Sequence, residues 1–297
     1  MCRSRILLAL AALCLLAAAC GPAPEPAQED PSPQAASTST ASPTPSPDSR
    51  LVFAVKGDWG AGTREQAAVT SRMCEMRKTT PFDVVITTGD NFYSPDGVAT
   101  QANYFTPEAC LTEHPGHQWR PVWGNHDSRG DSTGTVLGAS ERTYSWTAGR
   151  AEFFMLDSNR VGDRSQQAWL EAELARSQAP VKVAVFHHPP LTAGLHEDSL
   201  AVRRSWVPLF ERHGVDLVLN GHNHGYEHSF QNGVHYVVTG GGGAQLYPCV
   251  DDPPTLVTCM SENHFLLLEL EGEALSVNAV GIDGIEIDGF AVGEEPR

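Results

Sequence analysis

The sequence predicts an α/β fold of two packed mixed β-sheets flanked by helices, an αββα sandwich. Short apolar runs at 51–56 (LVFAVK), 82–88 (FDVVITT), 119–123 (WRPVW), 181–187 (VKVAVFH) and 215–220 (VDLVLN) read as strands buried on both faces. Helical segments lie between several of them, and such alternation builds a mostly parallel sheet from βαβ units. Further strand-like runs at 141–146, 150–157, 234–239, 264–271 and 274–290 would make one sheet unusually wide, so two sheets face to face are expected.

Taken in order, the chain begins with a segment of another kind. Arg3 and Arg5 precede a fourteen-residue apolar run over 6–19, too short to span a bilayer, and the run ends in small residues and Cys20. Residues 1–20 read as a secretory signal with a lipobox, which makes Cys20 a lipid anchor. Leu16 sits four positions before the cysteine rather than the usual three, and plain cleavage after Ala19 is the alternative. Residues 21–50 hold eight prolines among Ala, Ser, Thr, Gln and acids, with no apolar periodicity. That composition makes a disordered linker, able to reach about 90 Å if polyproline-like. Residues 51–297 form the folded domain.

In that domain, Thr63 with Gln66 and Asp163 with Gln166 have capping-box spacing, and Val69, Met73 and Met76 recur at helical period. The stretch from 265 to 290 alternates and turns at glycines, as antiparallel edge strands do. Cleavage after residue 19 removes two of the 20 basic residues and none of the 36 acidic ones, leaving a formal charge of −18. Nucleic-acid binders are basic, so no nucleic-acid partner is expected. Cys74, Cys110, Cys249 and Cys259 allow three disulfide connectivities. The short separation favours Cys249–Cys259, leaving Cys74–Cys110. A zinc site is disfavoured because no C-x-x-C spacing occurs.

Five blocks carry the chemistry: GDWG (57–60), GDNFY (89–93), GNHD (124–127), FHHP (186–189) and GHNH (221–224). Asp58, Asp90, Asn125, His187 and His222 fall at or just past the ends of predicted strands, where ligand sites of α/β sheets gather. Glycines before Asp58, Asp90, Asn125 and His222 would let the chain turn sharply into one cavity. Carboxylates, an amide oxygen and imidazoles suit hard-to-borderline metals, and two ions about 3.5–4 Å apart can clamp a phosphoryl group.

The five blocks in this order resemble the calcineurin-like metallophosphoesterases, over nearly the whole chain from Leu51. Members of that superfamily commonly carry Asp-x-His in the first block, where this chain has Gly60. The tyrosine of GDNFY, together with GGGGAQLYP, resembles the purple acid phosphatases, above all the small tartrate-resistant type. A phenol with a pKa near 10 needs a strongly acidic ion to stay ionised, and ferric iron is one. The resemblance implies Fe(III) held by Asp58, Asp90, Tyr93 and His224. It also implies a second, divalent metal (Fe, Zn or Mn) held by bridging Asp90 with Asn125, His187 and His222. His126 and His196 resemble residues that contact substrate phosphate and assist proton transfer. Asp127 would orient the ligands from behind. His188 would point to the opposite face if its strand continued. His114, His117, His213, His228, His235 and His264 lack motif support and read as structural, and Gly240–Gly243 reads as a loop after a strand rather than a phosphate cradle.

The function implied is an exported acid phosphatase, a monomer in the bacterial cell envelope or secreted, hydrolysing phosphate monoesters by metal-hydroxide attack with an acidic pH optimum. A phosphodiesterase or nucleotidase is the alternative on the same fold. A tethered metal-binding or redox protein without hydrolase activity is the alternative of another class.

Overall fold

The computed structural model describes residues 50–293 and Pro296. The expected signal, Cys20 and the linker up to residue 49 lie outside the described residues.

Three parallel strands open the domain: β1 (Leu51–Lys56), β2 (Val84–Thr87) and β3 (Gln118–Pro121). A second sheet follows from β4 (Tyr144–Ala148), β5 (Ala151–Met155), β6 (Val181–Val185), β7 (Leu217–Asn220), β8 (Tyr226–Gln231), β9 (Val234–Thr239) and β10 (Leu256–Met260). The chain then returns with β11 (His264–Glu271), β12 (Ala274–Gly281) and β13 (Glu286–Ala291), which extend the first sheet antiparallel from β1. The strand orders are β13-β12-β11-β1-β2-β3 and β10-β8-β9-β7-β6-β5-β4. Both sheets are mixed, as the sequence predicts. The helices are α1 (Arg64–Arg77), α2 (Ala109–Thr112), α3 (Ser132–Thr135), α4 (Arg164–Arg176), α5 (Leu200–Ser205) and α6 (Val207–His213).

Strand alternation builds the layers. On β1, Phe53 and Val55 join the core between the sheets, with Val183, Val185, Leu217, Leu266 and Leu268. Val52 and Ala54 face the other way, under Val69 and Met73 of α1. Behind the second sheet, Leu170 and Leu174 of α4 with Trp206 and Phe210 cover Phe154, Ala184, Phe186 and Val218. Two buried faces per central strand explain the near-continuous apolar runs. The exception is β3, an edge strand where Arg120 of the predicted 119–123 run is only half-buried while Trp119 and Pro121 are buried, so the expected burial on both faces is partial there.

Both helix caps form, but as half of the expected box. Thr63 Oγ1 accepts from the Gln66 N–H at 3.0 Å, and Asp163 Oδ1 from the Ser165 N–H at 2.9 Å. The glutamine side chains bond beyond the cap residues: Gln66 Oε1 accepts from the Gly62 N–H at 2.8 Å, one residue before the cap, and Gln166 Oε1 from the Asp157 N–H at 2.8 Å. Gln66 Nε2 donates to Glu108, and Gln166 Nε2 to the Asp157 carbonyl. Both are buried, and an amide there is held by the loops it can join. Disulfides link Cys74 to Cys110, between α1 and α2, and Cys249 to Cys259, as the short-separation reading favoured.

Candidate metal centre

Five parallel strands deliver the site. Asp58 follows β1, Asp90 follows β2, Asn125 follows β3, His187 follows β6 and His222 follows β7. Three of these residues turn the chain themselves, with left-handed backbones: Asp58 at φ 56°, Asp90 at φ 48° and His222 at φ 73°. Non-glycine residues in this region cost of order 1–3 kcal/mol each and persist only where the surroundings over-determine them. The expectation that the preceding glycines supply the turns holds at Gly89, with φ 95°, and is corrected at Gly57, Gly124 and Gly221, which are not left-handed. Gly124 shows what such a glycine does, since a Cβ there would lie 2.0 Å from Asp90 Oδ1. It makes room for the carboxylate.

Gly60 is explained the same way. A Cβ at this position would meet the Asn91 carbonyl oxygen at 1.7 Å, so no histidine fits without moving the backbone. The Tyr93 N–H donates to the Gly60 carbonyl at 2.9 Å, which binds the first block to the second and sends the phenol inward.

The side chains form two adjoining groups. In one, the Tyr93 hydroxyl lies 3.1 Å from Asp58 Oδ1 and 2.9 Å from His224 Nε2, with His224 Nε2 3.4 Å from Asp58 Oδ1. In the other, His187 Nε2 lies 3.0 Å from Asn125 Oδ1 and 3.4 Å from Asp90 Oδ2. Asp58, Asp90 and His187 each bring one ligand atom within 4.8 Å of the other two, which joins the groups. The other carboxylate oxygens are tied to backbone: the His222 N–H donates to Asp58 Oδ2 at 2.9 Å, and the His126 N–H to Asp90 Oδ1 at 2.8 Å.

Proton placement follows from the outer partners. His187 Nδ1–H donates to the Thr88 carbonyl at 2.9 Å, and His224 Nδ1–H to the Gln245 carbonyl at 2.7 Å. A carbonyl only accepts, so each neutral ring turns a bare Nε2 into the site, the form in which imidazole binds metal. Asp58 and Asp90 are buried. Burial and the two carboxylates push the Tyr93 phenol well above its usual range. Burial alone would lower His187, but Asp90 beside it raises it to about 9. Without an ion, a proton on His187 supplies part of the positive charge that the carboxylates demand. Two carboxylates, a phenol, an amide oxygen and imidazole lone pairs fit a pair of cations, and binding them would release that proton.

The neighbouring histidines are placed as follows. His126 packs its ring 4.4 Å from that of Tyr93. His196 stacks on His222 at 4.3 Å. His188 does not turn away: β6 ends at Val185, so strand alternation no longer applies. One ring nitrogen each of His187, His188 and His222 lies within 4.8 Å of the others, and Ser158 Oγ bonds His188 Nδ1 at 2.8 Å. Asp127 is buried and accepts from the N–H groups of Asn91, Phe92 and Gly124 at 2.8–3.1 Å, tying the Asp90 loop to the Asn125 loop. Gly240–Gly243 backs the first block, where the Gly242 N–H donates to the Gly57 carbonyl at 2.9 Å.

Sequence reasoning passed over Asn223. Its Oδ1 accepts from the His196 N–H at 2.8 Å, and its Nδ2 donates to the His196 carbonyl at 3.0 Å and to Thr192 Oγ1 at 2.6 Å. The residue between His222 and His224 therefore fixes the loop that carries His196. Tyr247 was also passed over, and it stacks on His224 at 4.1 Å. Its only signal was its place at the end of GGGGAQLYP.

The family model for calcineurin-like phosphoesterases matches residues 51–226. Purple acid phosphatase 7 of Arabidopsis thaliana is 29% identical over 237 residues, covering 67% of this chain and 72% of the relative. Tartrate-resistant acid phosphatase type 5 of Sus scrofa is 24% identical over 240 residues, covering 65% of this chain and 69% of the relative. Plant and mammalian relatives both match, and no single type of purple acid phosphatase is singled out. Two solved structures share the fold. Purple acid phosphatase PPD1 from yellow lupin has a TM-score of 0.70 at 18% identity, covering 84% of this chain and 54% of that one. GAP50, the anchor in the inner membrane complex of Plasmodium, has a TM-score of 0.71 at 20% identity, covering 84% and 90%. The match over more than half of the chain, on a fold with a candidate two-metal site, means that this protein belongs to the calcineurin-like phosphoesterase family.

Proposed function

We propose that the protein is an exported acid phosphatase of the purple type, most like the small tartrate-resistant enzymes, acting on phosphate monoesters. The observation that carries this reading is Tyr93, whose hydroxyl sits between Asp58 and His224 while position 60 has no room for a histidine. Asp58, Asp90, Tyr93 and His224 would hold Fe(III), and Asp90, Asn125, His187 and His222 a divalent ion. When bound, such a pair supplies a hydroxide nucleophile and concentrated positive charge. The protein's own groups do the rest. Water oxygen bonds to phosphorus, the P–O bond to the alcohol breaks, and the leaving oxygen takes a proton. His196, whose loop Asn223 fixes, and His126, whose ring packs against Tyr93, would provide that proton and contact phosphate oxygen. The two disulfides fit an oxidising compartment, in keeping with export and a lipid on Cys20.

The test combines colour, metal content and phosphate release. The oxidised protein is expected to be pink to purple through phenolate-to-iron charge transfer, Tyr93→Phe to bleach it, and monoesters to be cleaved fastest below pH 7. Colourless protein with full iron occupancy would overturn the Tyr93 assignment. Diester cleavage with little monoesterase activity would make the enzyme a phosphodiesterase.

A further inference from the structure

Beside His196 lies an open groove of about 420 Å³. One wall is the loop 194–200, with Leu195 54% and Leu200 55% exposed; the other is 250–253, with Val250 55% exposed. The groove is preformed. The Val250 and Asp251 N–H groups donate to the Ala193 carbonyl at 2.8 and 3.1 Å, and the Cys249–Cys259 disulfide holds the second wall from behind. Glu227 accepts from the Ala193 N–H at 2.6 Å and from Thr192 Oγ1 at 2.9 Å, which anchors the first wall.

Its charge is one-sided. Glu197 and Asp251 are exposed at the rim, and no lysine or arginine is among the groove's lining residues. Asp198 is already paired with Arg203 at 2.6 Å. Three exposed aliphatic side chains converging beside a proton donor form a surface that gains by covering apolar area, while the carboxylates repel anions and attract ammonium groups.

We propose that this groove receives the alcohol half of the substrate. It selects monoesters of apolar alcohols, neutral or cationic, against alcohols that carry further phosphate groups. This rests on the acid phosphatase reading, because the groove is lined by His196, whose ring stacks at 4.3 Å on His222 of the proposed metal centre.

The experiment compares kcat/KM of the metal-loaded full chain on phenethyl phosphate, phosphoethanolamine and fructose 1,6-bisphosphate. Phenethyl phosphate is expected to lead the bisphosphate by at least about tenfold. Leu200→Ser with Val250→Ser should lower phenethyl phosphate by roughly tenfold, as loss of an apolar pocket contact does. Phosphoethanolamine should hardly change in that variant. Glu197→Gln with Asp251→Asn should raise the bisphosphate roughly two- to fivefold, and about 0.5 M salt should do the same to the wild type. All four residues are exposed, and circular dichroism checks that the variants stay folded. Equal rates on all three esters, or serine variants with unchanged preference, overturn the groove assignment alone. Release of phosphate from none of them overturns the catalytic reading and this one with it.

Discussion

Two clusters in this protein use the same side-chain types to opposite ends. One joins Asp58, Asp90, Tyr93, His187 and His224 past the strand ends. The other joins Asp288, Tyr226, His228 and His235 within strands β13, β8 and β9, so it links the two sheets. In the second, the Tyr226 hydroxyl donates to Asp288 Oδ2 at 2.7 Å, His228 Nδ1–H donates to the same oxygen at 2.9 Å, and His228 Nε2 meets His235 Nδ1 at 3.0 Å. Phe290 stacks on both imidazoles, at 4.1 and 4.7 Å. None of its members has a left-handed backbone. In the first, imidazole lone pairs and carboxylate oxygens face one another because backbone carbonyls have taken the other ring protons. One cluster is closed by its own hydrogens, and the other presents a donor set that suits cations. Residue type does not separate a clasp from a metal site; the facing of the lone pairs does.

The sharpest way to break this contrast is to remove one carboxylate from each cluster. Asp90→Ala should empty both metal positions and lower phosphatase activity by more than about 10³-fold, beyond the 10–100-fold typical of losing a partner behind a ligand. Metal analysis beside phosphate release checks it. Asp90→Ala protein with both metals retained would remove Asp90 from its bridging role.

Next in size, His196→Ala and His126→Ala should keep both metals. Alkyl phosphates should slow by the roughly 10²–10⁴-fold of general acid catalysis, and nitrophenyl phosphate far less, because nitrophenolate departs largely without a proton. Equal slowing of both ester types would assign these residues to phosphate binding. Asn223→Ala should reproduce the His196 pattern in miniature, by about tenfold on alkyl phosphates. Asn223→Asp keeps the acceptor for the His196 N–H and should recover part of the loss. A merely structural Asn223 would slow both ester types alike.

The smallest expected effect on activity comes from the clasp. Asp288→Asn should leave metal content and kcat/KM unchanged and destabilise the fold by about 2 kcal/mol, the scale of hydrogen bonds to a charged group. Burial alone would raise Asp288, but the bonds from His228 and Tyr226 outweigh it and hold the carboxyl below its ordinary value. Its stabilisation is therefore complete above the unfolded value near 3.9 and is lost as pH falls through the folded one. The stability gap between wild type and Asp288→Asn should be flat above about pH 5 and shrink below about pH 4, read by urea unfolding. A gap that widened in acid would show that the carboxylate does not carry the clasp.

Much of the fold was legible because its central strands are buried on both faces. LVFAVK and VKVAVFH announce themselves, and β9 and β11 fall where the sequence predicts. The strands β8 (YEHSFQ) and β10 (LVTCM) were not foreseen. On β8 the buried side chains are polar and are satisfied by distant partners, Glu227 by the 192–193 loop and His228 by Asp288. No local pattern signals such a strand.

The sequence by itself determined which residues stand at the strand ends and in which order, because glycine-flanked polar blocks after apolar runs are a local property. It also carried the choice of tyrosine at 93 with glycine at 60. Only the tertiary structure decided that His188 stays beside His222, that Asn223 holds the His196 loop, and that His228 and His235 belong to a clasp. These outcomes depend on where strands end and on which carbonyls and hydroxyls lie across the fold. Asn223 and His196, 27 residues apart, meet once β6 and β7 pair within the second sheet, and His228 and Asp288, 60 apart, once both sheets are packed.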